Sequence, residues 1–538
     1  MKKLGKLLRN MLIVCGVLFI IVLLLPDDEE MPANQEQTGV ETAAGIGTQT
    51  GTETASGAET LTGAEHAAGS AENFFPEDMV KEKQTEIKGD GKDRATVFVY
   101  MNGSDLESKD GEATEDLCEM LAANISSQIN VLVETVGTKS WSKRLGIASD
   151  HTQRYKAEAG NLVLVDDSLG QLDCTSPDTL ADFISWGAEN YPANRYILIF
   201  WDHGAGPVYG FGYDEHQSED SVLTIDEIQS AIRQSGIYFD IIGMDSCIMS
   251  SLELCCAMYN YCDYMILSED FESGYGWSYT GWLNALSENT SISSEELGKI
   301  IVDDMIADNE ENGEGSSTLA LIDESYMKVL YTAWADFAYA NEPALLGENY
   351  SMHVRGGRRA HPVLQKKGLF DFLFDEDGDY SMSDYYITDI MAVAQNIESK
   401  EAEALSAAVG LAIRYFNCTD DEVGMTGLSV TLPYGDSEFY GYLYPVFTGV
   451  GMDADYVGWL EKFVYAEGYN DYYDYESWYE DDWEGWDDYE DDWDWIDWLF
   501  FEDDDYWEDD SWDEWGSDQS WTEFGKGRSD CLMKQIAC

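Results

Sequence analysis

Tyr196-Ile-Leu-Ile-Phe-Trp-Asp-His203-Gly204-Ala-Gly206 and Phe239-Asp-Ile-Ile-Gly-Met-Asp245-Ser-Cys247-Ile-Met249 share one plan: a short apolar run followed at once by a reactive side chain. Runs of this length, rich in β-branched and aromatic residues, read as buried strands. In a parallel α/β sheet the ligand site lies beyond the carboxyl ends of the strands, so residues just after a strand are where chemistry is sought. If the two strands are neighbours, an imidazole and a thiol reach the same sheet edge.

Outward from these stretches the same alternation continues. Ala95 to Tyr100, Ile129 to Glu134, Arg195 to Phe200 and Phe239 to Gly243 read as strands. Helical patterns run from about Glu115 to Ile125, from Pro177 to Asn190 and from Thr224 to Ser235. Strand and helix in turn predict an α/β fold, a mostly parallel sheet flanked by helices. Ser317 to Ile322, Tyr326 to Ala340, Tyr385 to Ile397 and Gly427 to Leu432 read as a continuation of the same body, which is expected to end near Tyr465.

The chemistry of the two strand ends can be read from residue types. Cys247 stands where the chain enters a helical stretch, Ser250 to Met258, and a helix N-terminus favours the thiolate, the nucleophilic form. His203 suits an acid/base that protonates a leaving amine and then activates water. Gly204, lacking a side chain, lets its backbone N–H approach a substrate carbonyl, and with the N–H of Cys247 it makes a candidate oxyanion hole. Alone, a cysteine after an apolar strand is usually an inert core residue and a turn histidine is usually just hydrogen-bonded. The pairing on successive strands is what carries weight. Asp245 lies two residues before Cys247, and in extended chain i and i+2 face the same side. Its carboxylate is therefore a candidate for holding a cationic substrate side chain, the alternative being that it satisfies loop N–H groups.

Tyr196 to Pro207 and Ile242 to Glu253 resemble the two active-site motifs of the clostripain family of cysteine peptidases, relatives of caspases, gingipains and legumain. Val97 to Leu106, Asp178 to Trp186 with Tyr191 to Arg195, Gly274-Tyr-Gly-Trp277 and Gly427 to Pro433 also resemble family landmarks, so the likeness spans about 94 to 465. The resemblance implies a caspase-hemoglobinase fold, a His203/Cys247 dyad, cleavage after Arg or Lys, and Asp245 as the acid that recognises that basic side chain. Tyr275 stands between two glycines where relatives can carry an acidic or polar residue. Glu269, Asp270 and Glu272, just before, are expected to add negative charge. Some relatives use calcium, and Asp375-Glu-Asp-Gly-Asp379 invites that reading. Leu373 occupies the place of an EF-hand's first carboxylate, so the motif is not an EF-hand; a looser loop site or an exposed acidic turn both stay open. No cofactor is otherwise expected, and His216, in a polar loop, is given no role.

The flanks differ in kind. Lys2, Lys3, Lys6 and Arg9 precede the apolar run Met11 to Leu25, which Pro26 and four acidic residues close. That charge asymmetry predicts export, through either an uncleaved signal-anchor or a removed signal peptide, and hence a membrane-held or secreted protein. Residues 27 to 92 read as a low-complexity linker without enough apolar surface to fold, and 93 to 465 as the peptidase domain. Residues 466 to 538 are crowded with Asp, Glu, Trp and Tyr, and both flanks are expected to be disordered. The tail reads as a solubilising extension or as an aromatic docking segment for cationic peptides or sugars.

A formal net charge of -75 argues against a nucleic-acid partner and fits peptides with basic residues. The ten cysteines show no metal-binding spacing. The loop from Tyr213 to Val222, between the two catalytic strands, holds neither Lys nor Arg, so an enzyme with basic specificity is expected to remain one chain there. Any self-cleavage is expected at Lys81, Lys83, Lys88, Lys92 or Arg94. The rival reading is a membrane-tethered, non-catalytic binding protein on a peptidase-like fold, with recognition in the tail.

Overall fold

The computed structural model describes residues 79–217, 221–312, 317–347, 386–394, 397–419 and 425–466. The export segment, the Asp375 loop and the acidic tail lie outside the described residues. Among the described residues no helix is long and apolar enough to cross a membrane.

The strands of the main sheet are β1 Ala95–Asn102, β2 Ile129–Val136, β3 Gln153–Glu158, β4 Asn161–Asp166, β5 Arg195–Trp201, β6 Phe239–Asp245, β7 Cys262–Leu267, β8 Thr318–Asp323 and β10 Ile413–Cys418. Their spatial order is β10-β8-β7-β6-β5-β1-β2-β3-β4. The pairings from β7 through β6, β5 and β1 to β2 are parallel. The outer pairings are antiparallel. The expected parallel core is thus present, with antiparallel edges.

Side-chain alternation builds two cores. On one face Phe98, Tyr100, Leu198, Phe200, Ile242 and Met244 pack with α2 Pro177–Asn190, α3 Ile225–Ser235, α4 Leu252–Met258 and α7 Met327–Ala340. On the other, Val97, Val99, Met101, Ile197, Ile199 and Ile241 pack with α1 Glu112–Ala122, α5 Tyr279–Glu288 and α6 Ser294–Asn312. A strand apolar on both faces reads as a continuous run, which is why β1, β5 and β6 are legible in the sequence.

Gly427 to Leu432 joins the body beside the main sheet, not within it: β11 Ser429–Thr431 pairs antiparallel with β9 Ile387–Asp389 in a separate two-stranded sheet. Ser251 bridges to Ser429, which ties this small sheet to the start of α4.

The stretch from 79 to 94, assigned above to the linker, is strapped to the body. Lys81 Nζ donates to Cys262 O at 2.6 Å and Tyr238 Oη at 3.0 Å, and also to Tyr259 O. Lys83 pairs with Asp323 at 2.9 Å, and the amides of Gln84 and Thr85 both donate to the Asp263 carboxylate. The ammonium groups of Lys81 and Lys83 are engaged by the body, which disfavours both as self-cleavage sites. Lys88, Lys92 and Arg94 stay exposed.

At the amino ends of the catalytic strands, Arg195 of β5 reaches Asp240 of β6, Nε to Oδ2 at 2.7 Å, and donates to the carbonyls of Thr290 and Ile292. Both side chains of this ion pair are fully buried, and it pins the register that sets where the opposite strand ends fall.

Candidate active site

β5 and β6 lie side by side in parallel, and Trp201 pairs with Asp245. His203 and Cys247 therefore each stand two residues past the same register pair. The two strand ends also touch: a Cβ on Gly204 would sit 2.0 Å from the Cys247 carbonyl oxygen and 2.8 Å from Met249 Cγ. Only glycine lets the backbones approach so closely. The sequence-derived group His203, Gly204 and Cys247 is thus brought together at one sheet edge.

Cys247 is not presented as the sequence suggested. α4 begins only at Leu252, and Ser251 caps it by accepting from Leu254 N–H, so the thiol lies outside the helix's terminal turn. The field of a helix end fades within one turn. The chain is re-aimed instead at Ile248, a β-branched residue at φ +49°, whose amide donates to Asp270 O. Such a conformation is an outlier for a β-branched residue and marks a constrained loop. The Glu272 amide donates to Cys247 Sγ at 3.3 Å. Desolvation, and next the negative charge of Glu272, push the thiol up to about 12, opposite in direction to the lowering expected from a helix end.

His203 is held from two sides. One ring nitrogen, Nε2, lies 2.8 Å from Asp105 Oδ1, and the ring stacks on Tyr213 with centroids 6.0 Å apart. Asp105 follows β1, and β1 is the neighbour of β5 on the side away from β6. Neither Asp105 nor Tyr213 was identified from the sequence, although Asp105 obeys the same rule as the other two, a polar residue just beyond a parallel strand.

Asp245 satisfies a loop N–H group, the second of the two readings its sequence position offered. It closes β6 and is buried beneath the Gly274–Trp277 turn, accepting from Trp277 N–H at 3.1 Å and from the Tyr279 hydroxyl at 2.8 Å. The same-side argument holds only while the chain stays extended, and here the strand ends at Asp245 itself. Burial pushes its carboxyl up to about 7. The neighbouring acids are likewise drawn inward. Glu269 accepts from Gly427 N–H, and burial holds both Glu269 and Glu272 well above the usual carboxylate range. Burial thus disfavours the negative charge expected of Glu269 and Glu272. His216 accepts no catalytic neighbour: its ring meets the Thr138 carbonyl at 3.0 Å.

Among the described residues no group of His, Cys, Asp and Glu is arranged to hold a metal ion. Cys118, Cys174, Cys247, Cys255, Cys256, Cys262 and Cys418 are free thiols.

A parallel sheet that brings an imidazole and a thiol to adjacent strand ends has the parts a cysteine hydrolase needs, and comparison gives its family. The clostripain family profile matches residues 99–497, and the chain belongs to the clostripain family of cysteine peptidases. A secreted C11 cysteine protease from Bacteroides thetaiotaomicron, solved with an irreversible peptide inhibitor, is similar in fold at 17% identity and a TM-score of 0.50, over 67% of this chain and 100% of that one. An inactive zymogen C11 protease from Parabacteroides distasonis aligns at 17% identity and a TM-score of 0.46, over 67% of this chain and 99% of that one. No curated protein matches the chain.

Proposed function

We propose that the protein is an extracytoplasmic endopeptidase that cuts peptide chains after Arg or Lys, with Cys247 as nucleophile and His203 as acid/base. The observation that carries this reading is the convergence of the His203-Gly204 and Cys247 backbones at one sheet edge. Cys247 gives its proton to His203 as its sulfur bonds to the substrate carbonyl carbon, and the carbonyl electrons move onto oxygen. The backbone N–H groups of Gly204 and Cys247 hold that oxyanion. As the tetrahedral intermediate collapses, the C–N bond breaks and His203 gives its proton to the departing amine. His203 then takes a proton from water, which attacks the thioester and frees Cys247.

Asp245 is the proposed anion for the basic side chain, reached when the Gly274–Trp277 turn yields. Export through residues 11–25 places the domain outside the cytoplasm, either held at the membrane or released. The body stays one chain between β5 and β6, and any self-cleavage falls at Lys88, Lys92 or Arg94.

The test is incubation of the full-length protein with a mixed peptide library, with cleavage sites read by mass spectrometry. Cuts concentrated after Arg and Lys, absent in Cys247→Ala, are expected. Cuts that persist in Cys247→Ala sink the assignment, and cuts without basic preference sink the Asp245 role alone.

A further inference from the structure

We propose that Asp105 is a positioning residue for His203, a third member of the catalytic group that fixes which ring nitrogen carries the resting proton. This rests on the reading of His203 as acid/base given above.

The strand order supplies the first argument. β1, β5 and β6 are consecutive in the sheet and parallel, with Met101 paired to Trp201 and Trp201 paired to Asp245. Asp105, His203 and Cys247 therefore follow three adjacent strands at the same edge, with the histidine in the middle. Past β1 the chain turns at Ser104, a non-glycine residue at φ +38°, and the buried Asp105 side chain comes to face the imidazole. Strained residues thus occur on both loops that flank His203, at Ser104 and at Ile248.

The bonding supplies the second. Asp105 Oδ1 lies 2.8 Å from His203 Nε2, and Oδ2 accepts from Lys109 Nζ at 3.0 Å. The Tyr213 hydroxyl also donates to this carboxylate while the Tyr213 ring stacks on the imidazole. Asp93, which secures its own loop, accepts from the backbone amides of Lys88 and Gly89 as well as from the Ser291 and Asn194 side chains. Asp105 gathers three side chains, two of which frame the histidine. Burial pushes its carboxyl upward, but the hydrogen bonds of His203, Lys109 and Tyr213 outweigh that and hold it well below the usual carboxylate range.

An ionised carboxylate is acceptor-only, so its partner nitrogen must carry the proton. Asp105 thereby selects the Nε2–H tautomer and leaves Nδ1 with the lone pair that takes up and gives back the catalytic proton. It also stabilises the imidazolium formed in each cycle. The Nε2 proton stays on the ring throughout.

The test uses the full-length chain. Asp105→Asn is expected to lower kcat on the order of a hundredfold with KM within about threefold, the scale of one acid/base contribution. The limb of its pH profile that reports loss of the imidazolium is expected to move to lower pH. Asp105→Glu is expected to recover part of the rate, and Tyr213→Phe to lose only severalfold. A rate that falls only in step with the folded fraction, with an unmoved pH profile, overturns the proposal. So does Asp105→Asn turning over like wild type while Cys247→Ala is inactive. If wild type and Cys247→Ala prove equally active, the peptidase reading fails instead. Should Asp105→Asn not fold, nitrogen-15 NMR of the imidazole in Cys247→Ala decides: an Nε2–H tautomer supports the role of Asp105, and Nδ1–H contradicts it.

Discussion

The two ends of β5 and β6 are built from the same kinds of residue and do opposite work. At the amino end Arg195 and Asp240, both fully buried, satisfy one another, and the Thr290 and Ile292 carbonyls take up further guanidinium donors. At the carboxyl end the side chains are poised more than paired. Cys247 is a half-buried thiol raised to about 12, Asp245 is a carboxyl raised to about 7, and the loops turn at Ser104 and Ile248 in left-handed conformations. A buried ion pair between strands holds a register even though burial raises the Asp240 carboxyl, whereas a thiol and an imidazole brought to one edge mark a candidate site. The difference separates residues whose loss costs folding from residues whose loss costs turnover.

Removing the chemistry is the most severe way to break this contrast. Cys247→Ala and His203→Ala are each expected to lower kcat/KM on the order of ten-thousandfold or more, with an unfolding midpoint near that of wild type. A large loss of stability in either variant would place it with Arg195 as a folding residue. Arg195→Met is the reverse case. Leaving Asp240 buried without its cation is expected to cost about 3 to 5 kcal/mol in denaturant unfolding, with turnover per folded molecule unchanged. Adding Asp240→Leu should recover part of that cost.

Gly204→Ala sits between these two, because a methyl there meets the Cys247 carbonyl at 2.0 Å. Displacing this backbone is expected to cost about a hundredfold in kcat, the scale of one lost oxyanion donor, with a smaller effect on KM. An alanine variant with normal kcat would show that the Gly204 amide does not face the reacting carbonyl.

How much of this was legible follows from where each residue's partners lie in the chain. β1, β5 and β6 carry their burial in continuous apolar runs, and His203, Gly204 and Cys247 are local to those runs. Asp105 and Tyr213 become functional only through contacts made across the sheet edge, and no local pattern distinguishes Asp105 from an ordinary turn aspartate. Asp245 was visible, but the extended-chain argument needed β6 to run on to Cys247, and the strand ends two residues sooner, at Asp245. The β3 and β4 hairpin was missed because β3 alternates Arg154, Lys156 and Glu158 with its inward residues, and the apolar run Leu162 to Val165 of β4 is half exposed. β11 was seen as a strand, but its partner β9 is short and distant in sequence, so its place in a separate sheet was not.

Asp245→Asn is expected to have the smallest of these effects, lowering kcat/KM for Arg and Lys substrates by on the order of ten- to a hundredfold, about 1.5 to 3 kcal/mol, while sparing neutral ones. Its pH dependence sharpens the contrast. The folded carboxyl is raised to about 7 by burial, so the anion that attracts a basic side chain grows in as pH rises through about 7. Preference for Arg over a neutral isostere should rise across that window in wild type and stay flat in Asp245→Asn. The stability effect runs oppositely: because the folded state binds this proton more tightly, stability falls as pH rises from about 4 toward 7.

The central claim, that these two strand ends form one nucleophilic site, is tested most directly by covalent trapping. The full-length protein would be treated with a peptidyl chloromethyl ketone carrying Lys next to the ketone, and the modified residue mapped by mass spectrometry alongside residual hydrolysis. The account predicts a single adduct on Cys247, loss of hydrolysis in proportion to it, and no adduct in Cys247→Ala. An adduct on Cys118 or Cys418 that abolishes hydrolysis while Cys247 stays unmodified would contradict it.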